Sequence, residues 1–143
     1  MPDEQDPLSD RLIRAVGLVQ GYDRTGHLPD LIAGVEQLRT IRAAVPTLST
    51  GLRWNCTEKL ATAIVRLGEQ TNDIGLLREG RALLADLAGG RTFDELDSEA
   101  FKRANAMAVA DLRIATMTGD RELLLTVRRG LARYIKEHPK HGE

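Results

Sequence analysis

Apolar residues recur along the chain at spacings of three and four residues, which places them on one face of an α-helix. One such stripe consists of Phe101, Ala104, Ala108, Leu112 and Ala115. Six segments of this kind are separated by glycine, proline and polar residues that favour turns and helix ends. No segment alternates apolar and polar residues as a half-buried strand does. The pattern therefore predicts an all-α fold with six main helices.

A short phrase recurs three times, once between the two helices of each predicted pair. It begins at Thr25, Thr71 and Thr118, so its starts lie 46 and then 47 residues apart. A fixed period of about 20–50 residues is typical of stacked helical units. The phrase therefore predicts three stacked helix-turn-helix hairpins in a single domain, 1–143. The units are expected at about 9–46, 52–90 and 97–138, with loose ends at 1–8 and 139–143.

The same offsets align small residues inside the predicted helices. Ala15, Ala61 and Ala108 fall at one position, and Gly34 aligns with Gly80. Small residues allow two helix axes to approach closely, as stacked hairpins require. The alignment therefore extends the repeat beyond the turns and into the helix interfaces.

Asp111 is a charged residue at a position where the other two units carry Leu18 and Ile64. A buried carboxylate would need a partner such as Arg66 or Arg113, because an unpaired buried charge is costly. The last unit could instead leave this position exposed to water. We favour the exposed position.

The segment Tyr22-Asp23-Arg24-Thr25-Gly26-His27-Leu28-Pro29-Asp30-Leu31 resembles the join between the two helices of a tetratricopeptide repeat, in the longer form found in many bacterial proteins of that family. The resemblance extends over about residues 9–138. The ordinary repeat has about 34 residues, and the longer unit here fits longer helices and linkers. The resemblance implies a right-handed, tetratricopeptide-like superhelix whose first helices line a concave groove. It also implies a scaffold or peptide-binding role rather than catalysis.

The turn glycine serves as a register mark that selects the positions of each first helix facing such a groove. The selected positions are spaced four, three and four residues apart, which keeps them on one helix face. Arginine can bind a carboxylate through two hydrogen bonds, and lysine adds a point charge. We therefore expect a protein or peptide partner with acidic character, although an ordinary solvated helix face is the alternative. The predicted groove residues include no acid: Asn55, Lys59, Arg66, Lys102 and Arg113.

The last predicted helix carries more apolar residues than one neighbouring helix could cover. Helical stacks need polar faces at their ends, and no further helix is predicted after this one. A second copy of the chain, as in a homodimer, or another protein would cover the remainder. The predicted self-association surface comprises Leu125, Leu131, Tyr134 and Ile135.

Three residues belong to types that are common in functional sites, but we expect each of them to have a structural role. Trp54, the single tryptophan, could anchor an interface, but we favour packing in the core. Cys56 is expected to be a small buried apolar residue rather than a nucleophile. His27 stands where Asp73 and Asp120 stand in the other units, and is expected to be a variant helix cap.

Composition narrows the class of protein further. With 20 basic and 21 acidic residues the net charge is −1, which provides no overall attraction to nucleic acid or to an anionic membrane. A single cysteine cannot form an intramolecular disulfide, which favours a reducing, cytoplasmic location. The acidic first ten residues do not look like a signal peptide, and no apolar run reaches the roughly 18–20 residues of a membrane span. A small basic cluster at Arg128, Arg129 and Arg133 is a weak argument for nucleic-acid binding.

No arrangement of residues in the sequence indicates catalysis. There is no phosphate-binding loop, no Gly-X-Ser-X-Gly motif and no grouping of histidine or cysteine with metal-ligand spacing, so neither a metal nor a cofactor is expected. The sequence therefore predicts a non-enzymatic interaction or scaffold module. A small-ligand-binding or enzymatic helical bundle is the alternative, which a deep pocket with converging polar groups would favour.

Overall fold

A computed structural model describes residues 7–44, 50–89 and 101–137, which form six α-helices and contain no β-strand. The predicted all-α fold with six main helices is therefore confirmed. The predicted helix boundaries at Pro46, Asp97 and Pro139 lie outside the described residues. The helices are α1 (Pro7–Thr25), α2 (Leu28–Ala44), α3 (Thr50–Thr71), α4 (Ile74–Leu87), α5 (Phe101–Thr118) and α6 (Arg121–Glu137).

The six helices pair into three hairpins that stack in chain order. Helix α1 packs on α2, α3 on α4 and α5 on α6, while α2 packs on α3 and α4 on α5 across the boundaries between hairpins. The first helices of the hairpins also lie side by side, since α3 contacts both α1 and α5. Among the described helices, none combines the length and the hydropathy that crossing a membrane requires.

The three repeated phrases form the same helix end. Gly26, Asn72 and Gly119 have φ angles of 72°, 55° and 71°, the left-handed conformation that terminates helices and that glycine and asparagine adopt readily. In every unit the threonine one residue earlier donates its hydroxyl to the carbonyl four residues back, at 2.9, 2.7 and 2.7 Å. The repeated phrase is therefore a helix stop that reverses the chain.

The residue that follows each stop starts the second helix. Asp73 and Asp120 each accept a hydrogen bond from the backbone N–H three residues later, at 3.1 and 3.0 Å, which confirms them as helix caps. His27 occupies the same position before α2. Its backbone N–H donates to the Thr25 hydroxyl at 3.2 Å.

Helix α3 shares its apolar residues between two cores. Leu60 and Ile64 belong to the first core cluster, formed by buried residues of α1, α2 and α3. Ala61 and Val65, one position further along the helix, belong to the second core cluster, formed by α3, α4 and α5 with Val127 of α6. Each core cluster therefore crosses a boundary between hairpins and holds two hairpins together.

Two glycines bring the second helices unusually close to the first. A Cβ atom added at Gly80 would lie 2.6 Å from Val65 Cγ2 and 3.1 Å from the Ala61 carbonyl oxygen. A Cβ atom at Gly34 would lie 2.8 Å from Val19 Cγ2. Ordinary side chains do not fit at these distances, so the aligned glycines set the spacing within the first two hairpins.

The Gly80→Ala variant should therefore lower the free energy of unfolding by about 1–3 kcal/mol, because the new methyl group overpacks the hairpin. Gly17→Ala is the matched control, since no atom lies within 4 Å of the added Cβ atom. Alanine at that exposed helical position should raise stability by about 0.5–1 kcal/mol. Urea denaturation measures both changes. Equal stabilisation of the two variants would contradict the close helix approach.

Candidate binding groove

The first helices α1, α3 and α5 line an open groove of about 520 Å³. Its apolar residues are buried or partly buried, and its polar residues are partly or fully exposed. The groove can therefore offer apolar contacts together with hydrogen-bonding groups. The apolar lining consists of Val16, Val19, Leu38, Val65, Ala106 and Val109. The polar lining consists of Gln20, Asp23, Lys59, Thr62, Arg66, Glu69 and Asn105.

The groove contains two of the five predicted groove residues. Lys59 and Arg66 line it, whereas Asn55 is exposed on α3 outside the lining. Arg113 also lies outside the lining, and the side chain of Lys102 is not among the described ones. The positions Val16, Gln20, Thr62, Ala106 and Val109, which the same register places on groove-facing helix positions, all line the groove.

Acidic side chains make the groove mixed in charge rather than basic. Asp23 and Glu69 line it beside the two cations, and Arg66 forms an ion pair with Asp23. Asp23 and Glu69 lie 46 residues apart, which is the period of the repeat. Extending the register one turn beyond the selected positions would therefore have identified both acids.

Arg113 is the equivalent of Arg66 one unit later, and it contacts Glu69 through a backbone hydrogen bond rather than an ion pair. Its Nη2 atom donates to the backbone carbonyl of Glu69 at 3.2 Å and to the side-chain oxygen of Asn72 at 2.6 Å. Arg66 thus ties α3 to α1, and Arg113 ties α5 to α3. Both arginines hold neighbouring first helices together, and this structural role competes with the predicted binding of a partner.

Trp54 is not a core residue, so the expectation that it packs in the core is wrong. Its side chain is 40% exposed, and the guanidinium carbon of Arg103 lies 5.0 Å from the centre of the ring. Arg103 also donates to Glu58 at 2.9 Å. The ring serves as a platform for an arginine from the next unit, a cation–π contact that one helix pattern cannot predict.

Asp111 is buried, and the expectation that it is exposed to water is wrong. It is 4% exposed and accepts a hydrogen bond from Nε of Arg81 at 2.9 Å, rather than from Arg66 or Arg113. Burial raises the pKa of the Asp111 carboxyl, and the hydrogen bond and charge of Arg81 oppose that rise. The pair joins α4 to α5 across a boundary between hairpins.

The preceding boundary has two apolar residues at the equivalent positions. Val35 stands where α4 has Arg81, and Ile64 stands where α5 has Asp111. Both are buried in the first core cluster. The chain therefore closes two equivalent junctions with different chemistry, one apolar and one ionic.

The double variant Arg81→Val with Asp111→Ile should remain within about 1 kcal/mol of the wild-type stability or exceed it, because apolar pairs often replace buried ion pairs without loss. Arg81→Val alone should lose about 3 kcal/mol, since it leaves a buried carboxylate without its partner. Urea denaturation at pH 7 measures the double variant and both single variants, Arg81→Val and Asp111→Ile. Additive effects of the two single changes would exclude coupling.

The pH dependence of Arg81→Val provides an independent check. In this variant the pKa of Asp111 should be higher in the folded state than in the unfolded state, because only burial then acts on the carboxyl. Protonation therefore favours the folded state, and the lost stability should return as the pH falls from about 7 toward the unfolded pKa of about 3.9. Arg81→Val with Asp111→Ile is the control, which should lack this recovery.

Cys56 is fully buried, as expected of a small apolar residue. Its sulfur lies 3.6 Å from the Leu38 carbonyl oxygen, and burial raises the pKa of the thiol, so the reactive thiolate is disfavoured. Within the described ranges, no three histidine, cysteine, aspartate or glutamate side chains are grouped so that they could bind a metal ion.

The predicted self-association residues fall into different environments. Leu125 and Ile135 are 54% and 47% exposed. Leu131 packs partly against the second core cluster, and the side chain of Tyr134 lies outside the described ones. The exposed apolar residues on α6 are thus separate from the groove.

Comparison with known proteins does not add to this geometry. The predicted resemblance to tetratricopeptide repeats therefore stays a prediction, and function has to be inferred from the residues of the chain. No protein-family model, curated protein or solved structure matches this chain.

Proposed function

We propose that the chain is a non-enzymatic interaction module that binds a peptide segment of a partner protein in the groove of α1, α3 and α5. The observation that carries the proposal is that three successive first helices contribute side chains to one open groove. Such a groove spans the stack, so a bound segment would contact every unit. The resemblance to tetratricopeptide repeats, which implies peptide binding along the first helices, supports the same function.

The chemistry of the lining suits a peptide. Valines from all three first helices provide apolar contact area, and Thr62 and Asn105 can hydrogen-bond to peptide amides. The Thr62 hydroxyl already donates to the carbonyls of Glu58 and Lys59 at 3.1 Å, which leaves its lone pairs available as acceptors. An apolar surface with hydrogen-bonding groups around it is the usual composition of a protein-binding site.

Lys59 is the groove cation available to an acidic residue of the segment, as Glu69 is available to a basic one. Arg66 is neutralised by Asp23, whereas Lys59 forms no ion pair with any described residue. A carboxylate of the bound segment would therefore pair with Lys59 more readily than with Arg66. The predicted acidic partner then depends on one lysine rather than on a broad basic surface.

Filling the groove should weaken peptide binding without unfolding the chain. Peptides are first selected from a displayed random library against the purified wild-type protein. The variant Asn105→Trp places a large side chain in the groove from an exposed position, and should weaken the selected peptides at least about tenfold, or about 1.4 kcal/mol. Ala82→Trp, at an exposed position on α4, is the matched control and should bind normally. Fluorescence anisotropy measures the affinities, and equal binding by both variants would refute the groove.

Reversing the charge of the free lysine tests the acidic preference. Lys59→Glu should lower the affinity of the selected acidic peptides by about tenfold, which is the strength of one partly exposed charge-assisted hydrogen bond. Arg78→Glu, an exposed change of the same charge on α4, controls for net charge. Peptides whose glutamates are replaced by glutamines should not distinguish Lys59→Glu from wild type. A uniform loss with both charge reversals would assign the effect to net charge alone.

A further inference from the structure

Helix α6 has the same face by which α2 and α4 pack on the next hairpin, but the described residues leave this face of α6 partly exposed. At two leucine positions the residues of α2 and α4 are fully buried, whereas Leu124 and Leu131 of α6 are partly exposed. Equivalent residues lie 46 and 47 positions apart, as in the turns. The buried counterparts are Leu31 and Leu77 for Leu124, and Leu38 and Leu84 for Leu131.

The charged position of this face shows the same change. Arg81 of α4 donates to the buried Asp111 of α5 at 2.9 Å. Arg128 is its equivalent on α6, where it is exposed and forms no ion pair with any described residue. The next position of the face is Ile135, which is 47% exposed, where α4 has the buried C-cap residue Ala88 and α2 has the partly exposed Arg42, which donates to Thr57 of the next hairpin at 2.9 Å. We call Leu124, Arg128, Leu131 and Ile135, spaced four, three and four residues apart, the α6 face.

We infer that the α6 face docks an amphipathic helix of a partner protein, and that this helix carries a carboxylate that pairs with Arg128. The incoming helix would lie on α6 as α5 lies on α4. The residues with which α5 meets α4 define what such a helix needs. These are small or flexible apolar residues, such as Ala104 and Met107, around a central acid, Asp111.

Charge argues for a foreign acidic helix rather than a second copy of the chain. Helix α6 carries five basic residues and two acidic ones, so a two-fold contact between two copies would bring like charges together. A head-to-tail contact between two copies would also bring like charges together. The opposite end of the stack presents Arg11 and Arg14, exposed at positions where α3 has Thr57 and Leu60. Homodimerisation through α6 is therefore disfavoured, and an acidic helix is favoured.

Leu125 does not belong to this argument, although it is the most exposed leucine of α6. Its equivalents Ile32 and Arg78 are also exposed, even though the next hairpin covers α2 and α4. Exposure at this position is thus the ordinary state of the second helices. At the leucine positions of the α6 face, by contrast, the residues of α2 and α4 are buried and those of α6 are partly exposed.

The test uses a fluorescein-labelled, hydrocarbon-stapled peptide with the sequence of α5. Its three basic residues are replaced, Lys102→Glu, Arg103→Glu and Arg113→Glu, so that the peptide is acidic and keeps the surface that meets α4. A second peptide carries Asp111→Arg in addition. Anisotropy titration with the full-length protein measures both affinities.

The wild-type protein should bind the first peptide saturably, and Arg128→Glu should weaken that binding at least about tenfold. The second peptide should recover the loss with Arg128→Glu, because the ion pair is then restored with its charges exchanged. Arg129→Glu is the matched control, an equally exposed arginine one residue outside the α6 face, and should bind the first peptide like wild type. Circular dichroism verifies that both variants keep their helices.

Three results would overturn the inference. These are the lack of saturable binding, an equal loss with Arg129→Glu, and a wild-type dimer in sedimentation that Ile135→Asp dissociates, which would assign the α6 face to a second copy. The inference concerns a different surface from the groove. The groove-filling variant Asn105→Trp should therefore bind the stapled peptide normally, so either proposal can fail alone.

Discussion

Each hairpin has an apolar face that its own two helices cannot cover, and the burial of that face against a neighbour is the constraint that organises the protein. Helix α3 satisfies it in both directions. Leu60 and Ile64 face the first core cluster, and Ala61 and Val65 face the second. The middle hairpin is therefore held on both sides, whereas each outer hairpin is held on one. The polar outer surface of α1 and the partly uncovered leucines of α6 are two different outcomes of this constraint.

Arginines supply a second set of contacts between neighbouring hairpins. The ion pairs among these contacts are partly exposed to water, and such pairs contribute only about 0–1 kcal/mol each to stability. These contacts therefore align the stack more than they stabilise it. One of these arginines is Arg39, which donates to Glu79 at 2.8 Å, and that hydrogen bond lowers the pKa of the glutamate. The contacts across hairpin boundaries are Arg39 with Glu79, Arg66 with Asp23, Arg103 with Glu58 and Arg113 with Glu69.

The sequence predicted those features that depend on nearby residues. Helix stops at Gly26, Asn72 and Gly119 follow from local backbone chemistry, and the six helices follow from the spacing of apolar residues. The predictions that were wrong concern contacts between units. Asp111 finds Arg81 on another helix, and a single helix pattern does not contain the angle at which the two helices meet.

The groove illustrates the same limit. Lys59 and Arg66, two of the positions that the register selects, line the groove because both lie on one face of one helix. The register did not reveal that Asp23 neutralises Arg66, since that contact depends on how far α1 and α3 are displaced along each other. Trp54 shows the same limit, because its ring contacts an arginine of the next unit, which the pattern of its own helix does not contain.

The two junctions between hairpins differ in chemistry, and this difference gives the stack a defined order. Val35 and Ile64 are buried in one core cluster at the first junction, and Arg81 donates to Asp111 at the second. If the third hairpin docked on the first, Asp111 would be buried against Val35 with no cation, at a cost of several kcal/mol. Repeated sequences are prone to misassembly between similar units. The buried ion pair therefore disfavours docking of the third hairpin on the first.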